Sequence, residues 1–199
     1  PVVRLVLGVI PKLVRWHIDT HGAWMALCLA IATVPVILVG LALNLTGLDD
    51  MMRSVAVIGW TMLVFGIVLW WADQRSPQIR TARDWSLKHA AIMGLWQAIA
   101  LIPGTSRSGI CITGARTLGY ERSDAARLAM LMSIPTIMAS GLLLGVEVVA
   151  DADAQAARDG AIAAVFAFLA ALAALWGMMR LLNYVSFTPY VIYRIVLGL

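Results

Sequence analysis

The sequence predicts an all-α fold, a polytopic bundle of transmembrane helices that includes a re-entrant helix-loop-helix hairpin. Of its 199 residues 61% are hydrophobic and only 13% charged, against about 45–50% and about 25% in soluble domains. A water-soluble single core is excluded by that balance. Several apolar stretches reach or approach the roughly 20 residues that cross a hydrocarbon core of about 30 Å as helix. One further apolar run, 86–118, is cut near its middle by Pro103-Gly104-Thr105-Ser106-Arg107-Ser108-Gly109. The whole chain, 1–199, reads as one membrane domain.

The chain opens on Pro1 and an apolar stretch, 2–14, with neither a charged leader nor a small-residue cleavage site. It therefore reads as N-terminally truncated, a piece beginning inside a longer protein. Residues 24–43 form the first full span; they carry Pro35, whose missing donor is tolerated where neighbouring helices or a hydroxyl such as Thr33 repair the break. Residues 55–72 form the next and end in the interfacial aromatics Trp70 and Trp71. Residues 128–149 contain Pro135 and the pair Gly141 and Gly145, a helix-packing face, and 161–182 form another span. The stretch 189–199 is short for a crossing, and Tyr190, Tyr193 and Arg194 give it an interfacial or bundle-facing character. Cys28 and Cys111 lie inside apolar segments without ligand spacing, so neither a disulfide nor zinc is expected.

Irregular backbone survives at membrane depth only where protein buries it or water reaches it, so the break in 86–118 implies a re-entrant hairpin or a broken helix. Loop charge separates the two. Loop 73–88 holds Arg75, Arg80, Arg83 and Lys88, while loop 44–54 sets Asp49 and Asp50 against Arg53. Basic loops favour the cytoplasmic side. A hairpin that re-enters and returns keeps Arg116, Arg122 and Arg127 on that side and leaves Asp151, Asp153 and Asp159 outside, so the re-entrant topology fits every loop. The excess of Lys and Arg over Asp and Glu, 15 to 11, belongs to these loops, and no basic run supports nucleic-acid binding.

The break combines two glycines that allow unusual backbone angles, three hydroxyls and a guanidinium. Arg pairs with two phosphate oxygens at once, and the hydroxyls and N–H groups opening the next helix add donors under a favourable dipole. The expected guest is an anion. The bland alternative is a simple Pro-Gly turn with Arg107 snorkelling to the interface. A nucleotide P-loop fits poorly, because Ile110 and Cys111 stand where Lys and Ser or Thr must follow.

The block Leu101-Ile102-Pro103-Gly104-Thr105-Ser106-Arg107-Ser108-Gly109, followed by Ala125-Ala126-Arg127 and Ser133-Ile134-Pro135, resembles the second-repeat signature of the undecaprenyl-diphosphate phosphatases, the BacA/UppP family. Phe187-Thr188-Pro189-Tyr190 with Ile192-Tyr193-Arg194 is similar to that family's C-terminal ending. The resemblance implies a multi-pass phosphatase of the bacterial inner (plasma) membrane, built from inverted repeats with re-entrant hairpins. Its substrate would be undecaprenyl diphosphate, its role the recycling of the lipid carrier of peptidoglycan, and its loss would sensitise cells to bacitracin. Arg107 would grip the diphosphate, Ser106 and Ser108 would hydrogen-bond it, and Gly104 would allow close backbone approach, with Thr105 at the variable place. Gln97 would line or support the site. Cys111 stands where the family has a threonine, replacing a hydroxyl contact by a weak thiol.

The family's acidic first-repeat motif and its Ser-rich Gly-His stretch have no match here. The resemblance implies a divalent cation, Mg or Ca, yet no metal ligands are visible in this chain. His17 and His21 read as solvated loop residues, and His89 reads as an interfacial anchor more than a site residue. Glu121 and Asp124 read as a solvated ion-pair cluster with Arg116, Arg122 and Arg127, and Glu147 lies near a span end. None makes the close carboxylate pair that a catalytic metal requires. A carrier or flippase for polyprenyl phosphates, acting without hydrolysis, is the alternative reading. Beyond the lipid substrate and the membrane, a homodimer is compatible with the sequence and not required by it.

Overall fold

The computed structural model describes residues 21–47, 54–150, 154–182 and 184–199. The opening stretch 2–14, His17, Asp49, Asp50, Arg53, Asp151 and Asp153 lie outside the described residues, as do the side chains of Gly145 and Glu147. The described residues form seven α-helices and one short 3-10 turn. In order these are α1 (His21–Thr46), α2 (Val55–Arg75), the turn Ala82–Asp84, α3 (Leu87–Ile99), α4 (Arg107–Thr117), α5 (Arg122–Ala150), α6 (Ala154–Leu181) and α7 (Thr188–Gly198).

Local chemistry sets the helix starts. Ser54 caps α2 by accepting from Val57 N at 3.2 Å, and Ser86 caps α3 by accepting from His89 N at 3.2 Å. Thr81 and Asp84 cap the short turn reciprocally. Helix α1 runs through Pro35 without interruption. Thr33 does not repair that site: its Oγ1 donates to Leu29 O at 2.7 Å, whereas Pro35 deprives Ile31 O of its donor.

Helices α1, α2 and residues 158–181 of α6 are each long and apolar enough to cross a membrane. Most of their apolar side chains face outward, as Leu38, Leu41, Trp60, Ile67, Phe166 and Trp176 do. In lipid this arrangement has no hydrophobic penalty. The cation of Arg75 stacks on Trp71 at 5.8 Å, at the end of α2 where an interfacial belt is expected. Helix α6 packs lightly, on α5.

Helices α3 and α4 form the hairpin, wedged between α1, α2 and α5. Its two arms approach closely because Gly114 has no side chain: a Cβ there would lie 2.7 Å from the Trp96 ring. The two ends of the hairpin meet. Ile79 N and Arg80 N both donate to Gly119 O, at 3.1 and 3.0 Å, and Glu121 N donates to Arg80 O at 2.9 Å. A segment whose ends are joined by backbone hydrogen bonds starts and finishes in one place, so 86–118 is a returning hairpin.

At this mouth the expected solvated cluster is corrected. Arg116 is fully buried, and its partner is Asp73 in the last turn of α2, with Nε to Oδ1 at 2.9 Å. Arg122 Nε reaches the same carboxylate at 2.9 Å. Glu121 and Asp124 pair with neither, because burial of Arg116 demands a partner that is itself buried. The remaining Arg116 donors go to the carbonyls of Asp73, Ser76, Pro77 and Tyr120. His89 is an anchor here, its Nδ1 2.7 Å from the Tyr120 hydroxyl. Exposed His21 starts α1.

Candidate active site

The site begins where α3 unwinds. Successive three-residue turns, Ala100 N to Gln97 O, Leu101 N to Ala98 O, Ile102 N to Ile99 O and Thr105 N to Ile102 O, carry the chain round the hairpin tip. Three consecutive carbonyls then need donors, since a tip buried among helices has little water to satisfy them. Thr61 Oγ1 of α2 donates to Pro103 O at 2.5 Å. Arg194 of α7 supplies the other two, Nη2 to Gly104 O at 2.7 Å and Nη1 to Thr105 O at 2.8 Å. The guanidinium fork thus fixes the loop from behind.

Gly104 sits at φ +86°, and a Cβ on it would lie 2.2 Å from Thr61 Oγ1 and 2.5 Å from Ile58 O. Its bare face is therefore turned to α2. Gly109, expected to carry a second unusual angle, is helical; the second left-handed residue is Ser106, at φ 65°. A side chain in that region is strained by about 1–3 kcal/mol and persists where its surroundings hold it. Ser106 is held twice, by accepting from Gly109 N at 3.3 Å as the cap of α4 and by the Tyr190 hydroxyl at 2.9 Å.

Arg107 is the first residue of α4, ahead of the first intrahelical bond from Ile110 N to Ser106 O at 3.0 Å. Its own N–H and that of Ser108 thus belong to the unpaired donors of a helix N-terminus. The Arg107 guanidinium reaches across to α5, where Nη1 donates to Thr136 Oγ1 at 2.6 Å. Among the described residues no carboxylate pairs with it.

In front of Arg107 opens a cavity of about 710 Å³. Its polar lining is Arg107, Ser108, Arg127 and Ser133. The rest is apolar, from Leu131, Ile134 and Ile137 of α5 and Leu175 and Met179 of α6. One compartment therefore offers cations and hydroxyls to an anion and a greasy wall to a tail.

Gln97, Thr105 and Cys111 lie outside this lining. All three are fully buried; the Cys111 thiol donates to Gln97 Oε1 at 3.7 Å, and Gln97 Nε2 and Thr105 Oγ1 have no hydrogen-bond partner among the described residues. Ser106 faces Tyr190, and Ser108 and Arg107 alone of the named block line the cavity. Among the described residues no three His, Cys, Asp or Glu side chains gather to hold a metal. Guanidinium and hydroxyl donors fit an anion and do not fit a divalent cation.

The family model for the bacitracin resistance protein BacA matches residues 2–199. This chain belongs to the BacA family. It is 70% identical over 196 residues to a protein of Dinoroseobacter shibae named undecaprenyl-diphosphatase, covering 98% of this chain and 73% of that one. A protein of the same name from Ruegeria pomeroyi is 64% identical, with 99% and 74% covered. One from Saccharophagus degradans is 39% identical, with 90% and 67% covered. These BacA relatives carry the name of a hydrolase, which gives the carrier alternative no support.

Sequence reasoning missed Asp73, Thr61 and Thr136, and it left Arg194 without a role. Arg194 had a readable signal, an isolated cation within an apolar stretch. The others had none, because Thr61 and Thr136 are neutral and Asp73 stands at a span end next to loop charges, where a carboxylate is ordinary.

Proposed function

We propose that this BacA-family chain hydrolyses undecaprenyl diphosphate at the cavity in front of Arg107, releasing inorganic phosphate and leaving undecaprenyl phosphate. The observation that carries the reading is one cavity where an Arg without a carboxylate partner opens a helix against an apolar wall. Water oxygen bonds to the terminal phosphorus, the bridging P–O bond to that phosphorus breaks, and the bridging oxygen stays with the lipid. Charge develops on the departing oxygens, and electrostatic stabilisation there supplies most of the catalysis in phosphoryl transfer.

Each nearby residue has a distinct role in this reading. Arg107 and the α4 N-terminus neutralise the phosphoryl oxygens, with Ser108 adding a hydroxyl. Ser106 caps α4 and aims its first turn, Gly104 and Thr105 present carbonyls to Arg194, and Gln97 with Cys111 packs the tip from behind. Leu131, Ile134, Ile137, Leu175 and Met179 receive the first units of the prenyl tail. In the cell the enzyme sits in the bacterial inner membrane, recycles the carrier lipid of cell-wall synthesis and raises tolerance of bacitracin. A divalent cation, Mg or Ca, belongs to this reading by resemblance to the family.

The test is phosphate release from a polyprenyl diphosphate by the gene-encoded protein in detergent, with magnesium and with chelator. Wild type releases phosphate, chelation stops it, and Arg107→Ala lowers turnover at least about a hundredfold, the scale of losing one oxyanion donor. Unchanged turnover in Arg107→Ala refutes the assignment of the site. Persistence in chelator refutes the cation requirement.

A further inference from the structure

Arg127 stands in the same cavity as Arg107 but belongs to a different element and makes a different use of it. Residues 127, 131 and 134 of α5 recur at helical spacing, so Arg127 heads the stripe that forms the apolar wall. Arg107 is fixed at Thr136, further along α5. A separation of nine residues places those two anchoring points about 13 Å apart along the helix axis. Arg127 and Arg107 therefore reach the cavity from separate positions along α5.

The Arg127 end is the one nearer the hairpin mouth, because α5 starts at Arg122 and Glu121 joins the bridge to Arg80. Arg127 is exposed, and among the described residues it makes no hydrogen bond or ion pair, even with Asp124 one turn earlier. A guanidinium that lines a cavity and has no carboxylate partner is free to pair with a phosphate there. Ser133, also in the lining, donates its hydroxyl to Ala129 O at 3.0 Å, which leaves the guanidiniums as the groups that answer an anion.

We propose that Arg127 is a second phosphate-binding residue of this cavity, which holds a phosphate group at the mouth end on its way to or from Arg107. The proposal rests on the phosphatase reading and gives that reaction a path for its anionic group. The bound chemistry is the same whether the phosphate is still on the lipid head group or already free.

The test compares wild type, Arg127→Gln and Arg127→Lys in detergent for the KM of a polyprenyl diphosphate and for inhibition by inorganic phosphate. Arg127→Gln is expected to weaken at least one of the two about tenfold, the worth of a charge-assisted hydrogen bond. Arg127→Lys keeps the charge and recovers most of the loss. A change in KM alone assigns the lipid head group, and a change in phosphate inhibition alone assigns the released product. If Arg127→Gln moves neither, Arg127 is a solvated side chain and the proposal is overturned. If wild type releases no phosphate, the phosphatase reading fails on its own. Direct titration of wild type and Arg127→Gln with inorganic phosphate and with a polyprenyl monophosphate then decides the residue, and equal binding of both overturns it.

Discussion

Arg107 and Arg194 are chemically the same residue put to opposite uses, and the difference lies in what each faces. Arg194 donates to two loop carbonyls and is 3% exposed, whereas Arg107 has one hydroxyl partner beside a cavity. Arg194 is therefore a positioning residue. Lys cannot reproduce a planar fork that holds two adjacent carbonyls, so Arg194→Lys should lower kcat about tenfold through loss of one such bond. The thermal midpoint should fall by a few degrees, because a buried carbonyl is left without its donor, and kcat should change more than KM; unaffected kcat would remove Arg194 from the positioning of the loop. Gly104→Ala places a Cβ against Ile58 and Thr61 at a left-handed angle, and should cost at least about 2 kcal/mol of stability, read as a lower unfolding temperature in detergent. The importance of Arg107 was legible in the sequence because a charge in an apolar run is conspicuous. The left-handed turn at Ser106 was not, since serine gives no sign of positive φ and only the capping and Tyr190 contacts hold it there.

At the level of elements, the hairpin was legible and its closure was not. A polar break between two half-length apolar pieces announces a helix pair, whereas the bridge between Arg80 and Tyr120 depends on a pairing across 40 residues of chain. The closure has a direct consequence for topology. Gln78 and Ser123 lie at the two ends of the hairpin and line one shallow pocket, so a cysteine at either position should react with an impermeant thiol reagent from the same face of the membrane. Cys28 and Cys111 are fully buried and give little background. Labelling from opposite faces would mean that 86–118 crosses the membrane after all. The seam between the two arms is tested separately by Gly114→Val, whose side chain must displace Trp96. Overpacking of this kind costs about 1–3 kcal/mol, measurable as a fall in midpoint without direct contact to the cavity.

Across the whole molecule, one carboxylate ties segments that the sequence holds far apart. Asp73 accepts from Arg116, 43 residues on, from Arg122, 49 residues on, and at 3.4 Å from Phe187 N, 114 residues on. It thereby joins the end of α2, the return of the hairpin, the start of α5 and the turn into α7. The charges nearest Arg116 and Arg122 in sequence are Glu121 and Asp124, and local reasoning pairs them; burial selects Asp73 because only a desolvated partner compensates a desolvated guanidinium. Such a pair is poor evidence of net stabilisation over an apolar alternative, yet removing one member strands the other. Asp73→Ala should therefore destabilise the protein by about 3–5 kcal/mol, whereas Asp124→Ala, at a partly exposed carboxylate that pairs with neither, should change it by less than about 0.5 kcal/mol. Denaturant unfolding in detergent compares the two. Equal effects would mean that the charge cluster is solvated and that the mouth of the hairpin is held by its backbone bridge alone. A loss confined to Asp73→Ala, with turnover at low temperature retained, would place the clasp among the groups that keep the hairpin seated and leave the phosphate chemistry to its tip.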